Sequence, residues 1–282
     1  MTLPLSFQEN PRASAVHAGR IVFDGVSKRY EGKAGQPGTL ALDDLRLSIA
    51  PSEIVAVLGP TGCGKSSALN LIAGFEEPTQ GRVLLDGQEV HGTNPDRAIV
   101  FQHGALFPWL SVFDNTVLGL KSRGIDKQTY TRRARELLAE VGLAGFENHY
   151  PYQLSGGMQQ RVQIARALVS QPRILLMDEP FGALDYQTRI QMQELLLQLW
   201  QEHRPTVFFI THDVTEAIFV ADRVLVMSSR PGRVTLEVPV HTPKPRSQEF
   251  LSSPEFIALQ SRLLQAVQNE VRTARAASPI LT

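Results

Sequence analysis

The chain has one cysteine, Cys63, in 282 residues. No disulfide can form within it, which excludes a disulfide-stapled secreted scaffold and suits a reducing compartment. It also lacks a charge excess, with Lys+Arg and Asp+Glu both at 28. The overall balance gives no reason to expect a polyanion, so no nucleic-acid partner is expected. Long hydrophobic runs are missing: no stretch approaches the roughly 18 consecutive apolar residues that span a bilayer. The opening MTLPLSFQENPRASAVHAGR has no uninterrupted apolar segment behind a charged start and does not read as a signal peptide. The expected place is the cytosol, or a membrane face reached through a partner. Internal repeats and low-complexity tracts are absent too.

What is present suits an ordinary globular chain, with 43% hydrophobic and 20% charged residues. Residues 1–19 are rich in Pro, Ser and Ala and are expected to be a flexible segment. GRIVFDGVSKRY and LALDDLRLSIA read as two strands joined by a Gly-rich connection, an antiparallel start to the fold. EIVAVLG is a short apolar run, hence a buried strand, and it leads directly into a Gly-rich loop and a helix. GRVLLDG, RAIVFQ, RILLMDEP, TVFFITH and RVLVMSS are further strands. The helical stretches KSSALNLIAGF, DYQTRIQMQELLLQLWQEH and VTEAIFVA alternate with them. That alternation predicts an α/β fold with a mainly parallel sheet.

Between about 103 and 168 the pattern is helical, an inserted subdomain. Within it, KQTYTRRARELLAEVGL puts Leu137, Leu138 and Val141 on one face. The core domain is set at 20–238 and a tail at 239–282. The tail carries a helix capped by Ser253 with Pro254 at its first position. Phe256, Leu263, Leu264, Val267 and Val271 form its apolar stripe.

GPTGCGKSS matches G-x-x-x-x-G-K-[ST] in full, between a strand and a helix. Gly59, Gly62 and Gly64 let the backbone curl so that N–H groups point at phosphate oxygens. Lys65 brings a point charge to the β- and γ-phosphates, and Ser66 a hydroxyl to Mg²⁺. Pro60, Thr61, Cys63 and Ser67 complete the candidate phosphate contacts. Cys63 is read as a small residue tolerated in a tight loop, or as a thiol activated by Lys65 and the helix start.

RILLMDEP places Asp178 and Glu179 at the C-terminal end of a buried strand, the edge where open α/β sheets bind ligands. Asp178 is the candidate Mg²⁺ holder and Glu179 the candidate general base. His212, ending another strand, is placed to meet the γ-phosphate. Gln102, beyond a third, is a candidate ligand of Mg²⁺ or of the attacking water. A second anion-binding helix start lies 90 residues beyond Lys65, in LSGGM at Ser155, Gly156, Gly157 and Met158. By itself it also reads as a simple helix cap.

Taken together, the phosphate loop, Gln102, LSGGM, ILLMDEP, GALD at 182–185 and TH at 211–212 resemble the ATP-binding subunits of ABC transporters, over residues 20–235 or so. The resemblance implies an ATP hydrolase using ATP and Mg²⁺, in which Gln102 senses the metal and the membrane subunit, Glu179 is the catalytic base and His212 the switch histidine. It implies that Asp185 lies at a dimer interface and that Tyr30 stacks on adenine; by itself Tyr30 reads as a strand-end aromatic packed on its neighbours. It further implies a homodimer in which Ser155, Gly156 and Gly157 of one chain face the ATP held by the other.

HGALFPWLSVFDN gathers Leu106, Phe107, Trp109, Leu110 and Phe113, apolar surface costly to leave wet. It reads as a docking surface for a membrane permease, with core packing as the alternative for Phe113. LFPWLSVFDN, QMQELLLQLWQE, SSRPGRV and RSQEFLSSPEFIAL resemble the nitrate/taurine/sulfonate/bicarbonate import group, most nearly its taurine-import ATPases. That implies a periplasmic binding protein as an indirect partner and a peripheral position on the cytoplasmic face of the bacterial inner membrane. A nitrate- or bicarbonate-type importer, or an ABC ATPase outside transport, remains an alternative. Met158 stands where the family usually has Gln.

Overall fold

The structure is a computed structural model and describes residues 18–32, 38–102 and 106–277. Most of the segment 1–19, residues 33–37, His103–Ala105 and the last five residues of the tail lie outside the described residues.

β1 (Ile21–Tyr30) and β2 (Thr39–Ile49) pair antiparallel, from Ile21 opposite Ile49 to Tyr30 opposite Thr39. β4 (Gln80–Leu85) adds to the other side of β1, and β5 (Gln88–Glu89) follows it in a small four-stranded sheet. A second sheet has the order β10-β9-β3-β8-β7-β6. Its strands β3 (Ile54–Leu58), β6 (Arg97–Val100), β7 (Ile174–Asp178), β8 (Thr206–Ile210) and β9 (Arg223–Met227) run parallel. β10 (Val234–Pro239) closes its edge antiparallel to β9. The sequence pattern did not call for this last strand, since its alternation is short and follows a Pro-Gly turn.

The central strands are buried on both faces, which is why they read as unbroken apolar runs. Their period of two sorts them between two cores. Ile54, Ala56 and Leu58 face a large cluster with the helical insertion and the helix Val214–Val220, whereas Val55 and Val57 face a cluster with the helix Lys65–Ala73 and the antiparallel sheet. Phe209 and Phe208 divide in the same way on β8.

α1 (Lys65–Ala73) follows β3 directly. The insertion comprises α2 (Val112–Ser122), α3 (Lys127–Glu140), a short 3₁₀ turn at Pro151–Gln153 and α4 (Gly156–Leu168). Leu137, Leu138 and Val141 are buried as expected. The aromatic loop divides: Phe107 and Trp109 are exposed, whereas Leu106 and Phe113 pack on the core and Phe113 meets Tyr130 at 6.4 Å between ring centroids. Asn115, fully buried, fixes this loop. Its side chain accepts from the Phe107 N–H at 2.9 Å and donates to the carbonyls of Phe107 and Leu110.

α5 (Tyr186–His203) and α6 (Val214–Val220) complete the body. In the tail, α7 (Pro254–Ala277) is capped by Ser253, whose hydroxyl accepts from the Phe256 N–H at 3.1 Å. Phe256 and Leu263 are buried and Val267 packs on the core as expected, but Leu264 is 42% exposed, and Leu259 and Ala266 join the stripe. Arg246 fastens the tail. Its buried guanidinium donates to the carbonyls of Ile218, Phe219 and Ala221, which the end of α6 leaves without helical partners. Among the described residues, no helix is long and apolar enough to cross a membrane.

Candidate nucleotide site

β3, β7 and β8 are neighbours, so whatever follows each of them collects at one edge of the sheet. The loop 59–64 leaves β3 there. Lys65, only 8% exposed, folds back on it and donates to the carbonyls of Gly59 at 2.8 Å and Pro60 at 3.1 Å. Ser66 donates to Asp178 Oδ2 at 3.2 Å, bringing the two candidate metal-holding oxygens together across 112 residues. Burial raises the Asp178 carboxyl above its ordinary range, the Ser66 hydrogen bond opposing it.

Asp178 pairs in register with Ile210, so the next residues of both strands emerge side by side. Glu179 adopts a left-handed backbone, φ 47°, which a non-glycine residue rarely takes. Its N–H donates to Ile210 O at 2.9 Å and its carbonyl accepts from Gly182 N–H at 3.2 Å. This conformation costs about 1–3 kcal/mol, held by the surrounding bonds. It aims the carboxylate at His212, whose Nδ1 stands 3.1 Å from Glu179 Oε2.

Tyr30, Gly59, Thr61, Gly62, Gly64, Lys65, Ser66, Ser67, Glu179 and His212 line one cleft of about 400 Å3, and Thr39, Ala41 and Arg230 join them. The volume is that of a small-molecule site. Sequence reasoning missed those last three; for Arg230 the signal was its place in SSRPGRV. The Tyr30 hydroxyl lies 3.0 Å from Ser67 Oγ, which holds the ring at the rim of the cleft.

Other expected residues stand apart from the lining. Cys63 is 1% exposed, and burial pushes its thiol up, against the weaker pull of Lys65. Of the two readings, this favours the small residue tolerated in a tight loop: the dominant effect is loss of solvent, and Lys65 does not offset it. Gln102 is half-buried beyond β6; a Cβ on Gly182 would stand 2.7 Å from its Nε2.

Ser155, Gly156, Gly157 and Asp185 form a second corner. Ser155 caps α4, accepting from the Met158 N–H at 3.3 Å. A Cβ on Gly157 would stand 2.7 Å from Thr188 Cγ2, so within one chain this glycine's close approach is to α5. Asp185 caps α5 through the Thr188 N–H at 3.0 Å and hydroxyl at 2.7 Å, and these bonds hold its carboxyl below its ordinary range. Met158 packs on the apolar core, which accounts for an apolar residue at this position.

Residues 42–182 match the family described as ABC transporter, a span running from β2 to just past Glu179. The chain belongs to the ABC transporter family, as its ATP-hydrolysing nucleotide-binding subunit. It is 48% identical over 252 residues to an uncharacterized ABC transporter ATP-binding protein of Methanocaldococcus jannaschii, covering 89% of this chain and 92% of that one. It is 49% identical over 252 residues to a taurine import ATP-binding protein of Chromobacterium violaceum, covering 88% and 95%. Among solved structures it is similar to an ATP-binding cassette captured as a dimer in a post-hydrolysis state bound to ADP and Pi, with a TM-score of 0.67 and 33% identity over 79% of this chain and all of that one.

Proposed function

We propose that the cleft binds MgATP and that hydrolysis there energises uptake of taurine or a related sulfonate. The observation that carries the catalytic part is the Glu179–His212 pair at the edge of the phosphate loop, 3.1 Å apart. In this reading the loop from Gly59 to Ser67 cradles the phosphates and Tyr30 stacks on adenine. The oxygens of Ser66, Asp178 and Gln102 suit a hard divalent ion such as Mg²⁺, which neutralises charge developing on the phosphates. Glu179 takes the proton of the attacking water, and His212 orients the carboxylate and meets the γ-phosphate.

The single chain keeps Ser155, Gly156, Gly157 and Asp185 off the cleft lining. The reading therefore needs a second copy, whose α4 start supplies N–H groups to the γ-phosphate across a two-fold interface. The relative solved with ADP and Pi is itself a dimer. The 20–238 body with its 103–168 helical subdomain does this work, and the 239–282 tail is an appendage.

Phe107 and the 70%-exposed Trp109, 5.4 Å apart, suit docking of a permease on the helical subdomain. In this reading the protein is a peripheral subunit at the cytoplasmic face of the inner membrane, with a periplasmic binding protein choosing the solute. Likeness to a taurine importer's subunit supports the solute class.

The test is a deletion strain grown on taurine, an alkanesulfonate or nitrate as the only sulfur or nitrogen source. Growth lost on taurine alone is expected. Loss only on nitrate supports the nitrate-type importer, and no loss on any source sinks the importer reading in favour of an ATPase acting elsewhere. Co-purification with a multi-span membrane protein, lost in Trp109→Ala, tests the docking surface.

A further inference from the structure

The turn between β9 and β10, Ser228 to Arg233, has no part in the chemistry above, yet it is built against the phosphate loop. Its backbone is tied on several sides. Ser228 Oγ donates to Pro231 O at 2.8 Å and accepts from the Arg233 N–H at 2.9 Å. Arg233 pairs with Asp43 on β2. Gly232 N–H donates to Ala41 O at 2.8 Å, and Gly232 O accepts from the Asp43 N–H at 3.2 Å. A Cβ on Gly232 would stand 2.1 Å from Cys63 O, so only glycine lets the turn lie this close to the loop. From the other side, Glu270 on α7 accepts from the Ser229 N–H at 3.1 Å.

This rigid turn delivers Arg230 to the cleft. Its Nε donates to Gly62 O at 3.2 Å, and its Nη2 lies 2.9 Å from where a Cβ on Gly62 would be. Of the two cations lining the cleft among the described residues, Lys65 is buried and bonded to its own loop, whereas Arg230 is exposed. An Arg pinned by one N–H keeps its others in a planar fork, a geometry that matches phosphate oxygens.

We propose that Arg230 is a further nucleotide-binding residue, holding the Gly62 carbonyl and contacting the polyphosphate of ATP beside Lys65. The proposal rests on the cleft being the ATP site.

The test measures ATP, ADP and AMP affinity by calorimetry for Arg230→Met and Arg230→Lys, each in a Glu179→Gln background that halts turnover. ATP binding by the Glu179→Gln parent is the control: if it fails, the cleft's assignment as the ATP site is wrong. Given that control, Arg230→Met is expected to weaken ATP and ADP about tenfold, the scale of one charge-assisted hydrogen bond, and AMP less than twofold. Arg230→Lys is expected to recover part of the loss and carries the test if the Met variant does not fold. ATP affinity within twofold of the parent in both variants, or equal weakening of all three nucleotides, overturns the proposal.

Discussion

His212 Nδ1 lies 3.1 Å from Glu179 Oε2, although the residues are 33 apart in sequence and end different strands. The pairing of Asp178 with Ile210 sets their separation, and the left-handed backbone of Glu179 sets the direction of its carboxylate. A carboxylate so held can accept a proton from water without first reorganising.

Glu179→Gln keeps the shape and removes the proposed base. Steady-state hydrolysis is expected to fall by about 10²–10⁴-fold, while ATP binding persists and a closed dimer accumulates in size-exclusion chromatography. Near-normal turnover would show that another group takes the proton.

Ser155 is expected to act across the dimer. In Ser155→Ala, ATP affinity of the monomer should stay within about twofold, whereas ATP-driven dimerisation in the Glu179→Gln background should weaken about tenfold. Ser253→Ala removes a cap of the same chemistry from α7. Each change should cost about 1 kcal/mol of stability. Equal dimerisation in the two variants would reduce Ser155 to a structural cap.

Cys63 is expected to react slowly. Iodoacetamide should alkylate it roughly a hundredfold slower in native protein than in urea, because it is 1% exposed and its thiol is raised by burial. Native labelling close to the urea rate would mean that the phosphate loop opens readily.

Glu216 gives the pH prediction. It is 3% exposed, accepts from the Thr211 hydroxyl next to His212, and burial raises it from 4.5 to about 7. The folded protein therefore holds this proton more tightly than the unfolded chain does. Its contribution is fully present below about 4.5 and is lost as pH rises through about 7. Glu216→Gln should thus gain on the parent in unfolding free energy as pH goes from about 5 to 8, on the order of 1–3 kcal/mol, read as a rising Tm difference. A Tm difference that stays flat over that range would place an ordinary carboxylate at this position.

Much of this was legible in the sequence for local reasons. A phosphate loop is one contiguous segment, and the double burial of β3, β7 and β8 writes itself as continuous apolar runs. Helix caps at Ser155 and Ser253 depend on residues three apart. The alternating strands and helices were enough to predict the parallel sheet.

Tertiary structure decided what depends on distant neighbours. Burial decided between the two readings of the Cys63 thiol. It also turned Leu264 outward and Phe113 inward, because helix periodicity marks a face without saying where that face ends. Arg246 is buried because the open carbonyls at the end of α6, distant in sequence, take its guanidinium. Arg230 and Gly62 meet across 168 residues. Sequence by itself determined which chemistry this protein carries, because phosphate-binding geometry is encoded in short segments. Only the fold decided which of those groups share a cleft, because strand order, not chain order, sets what lies side by side.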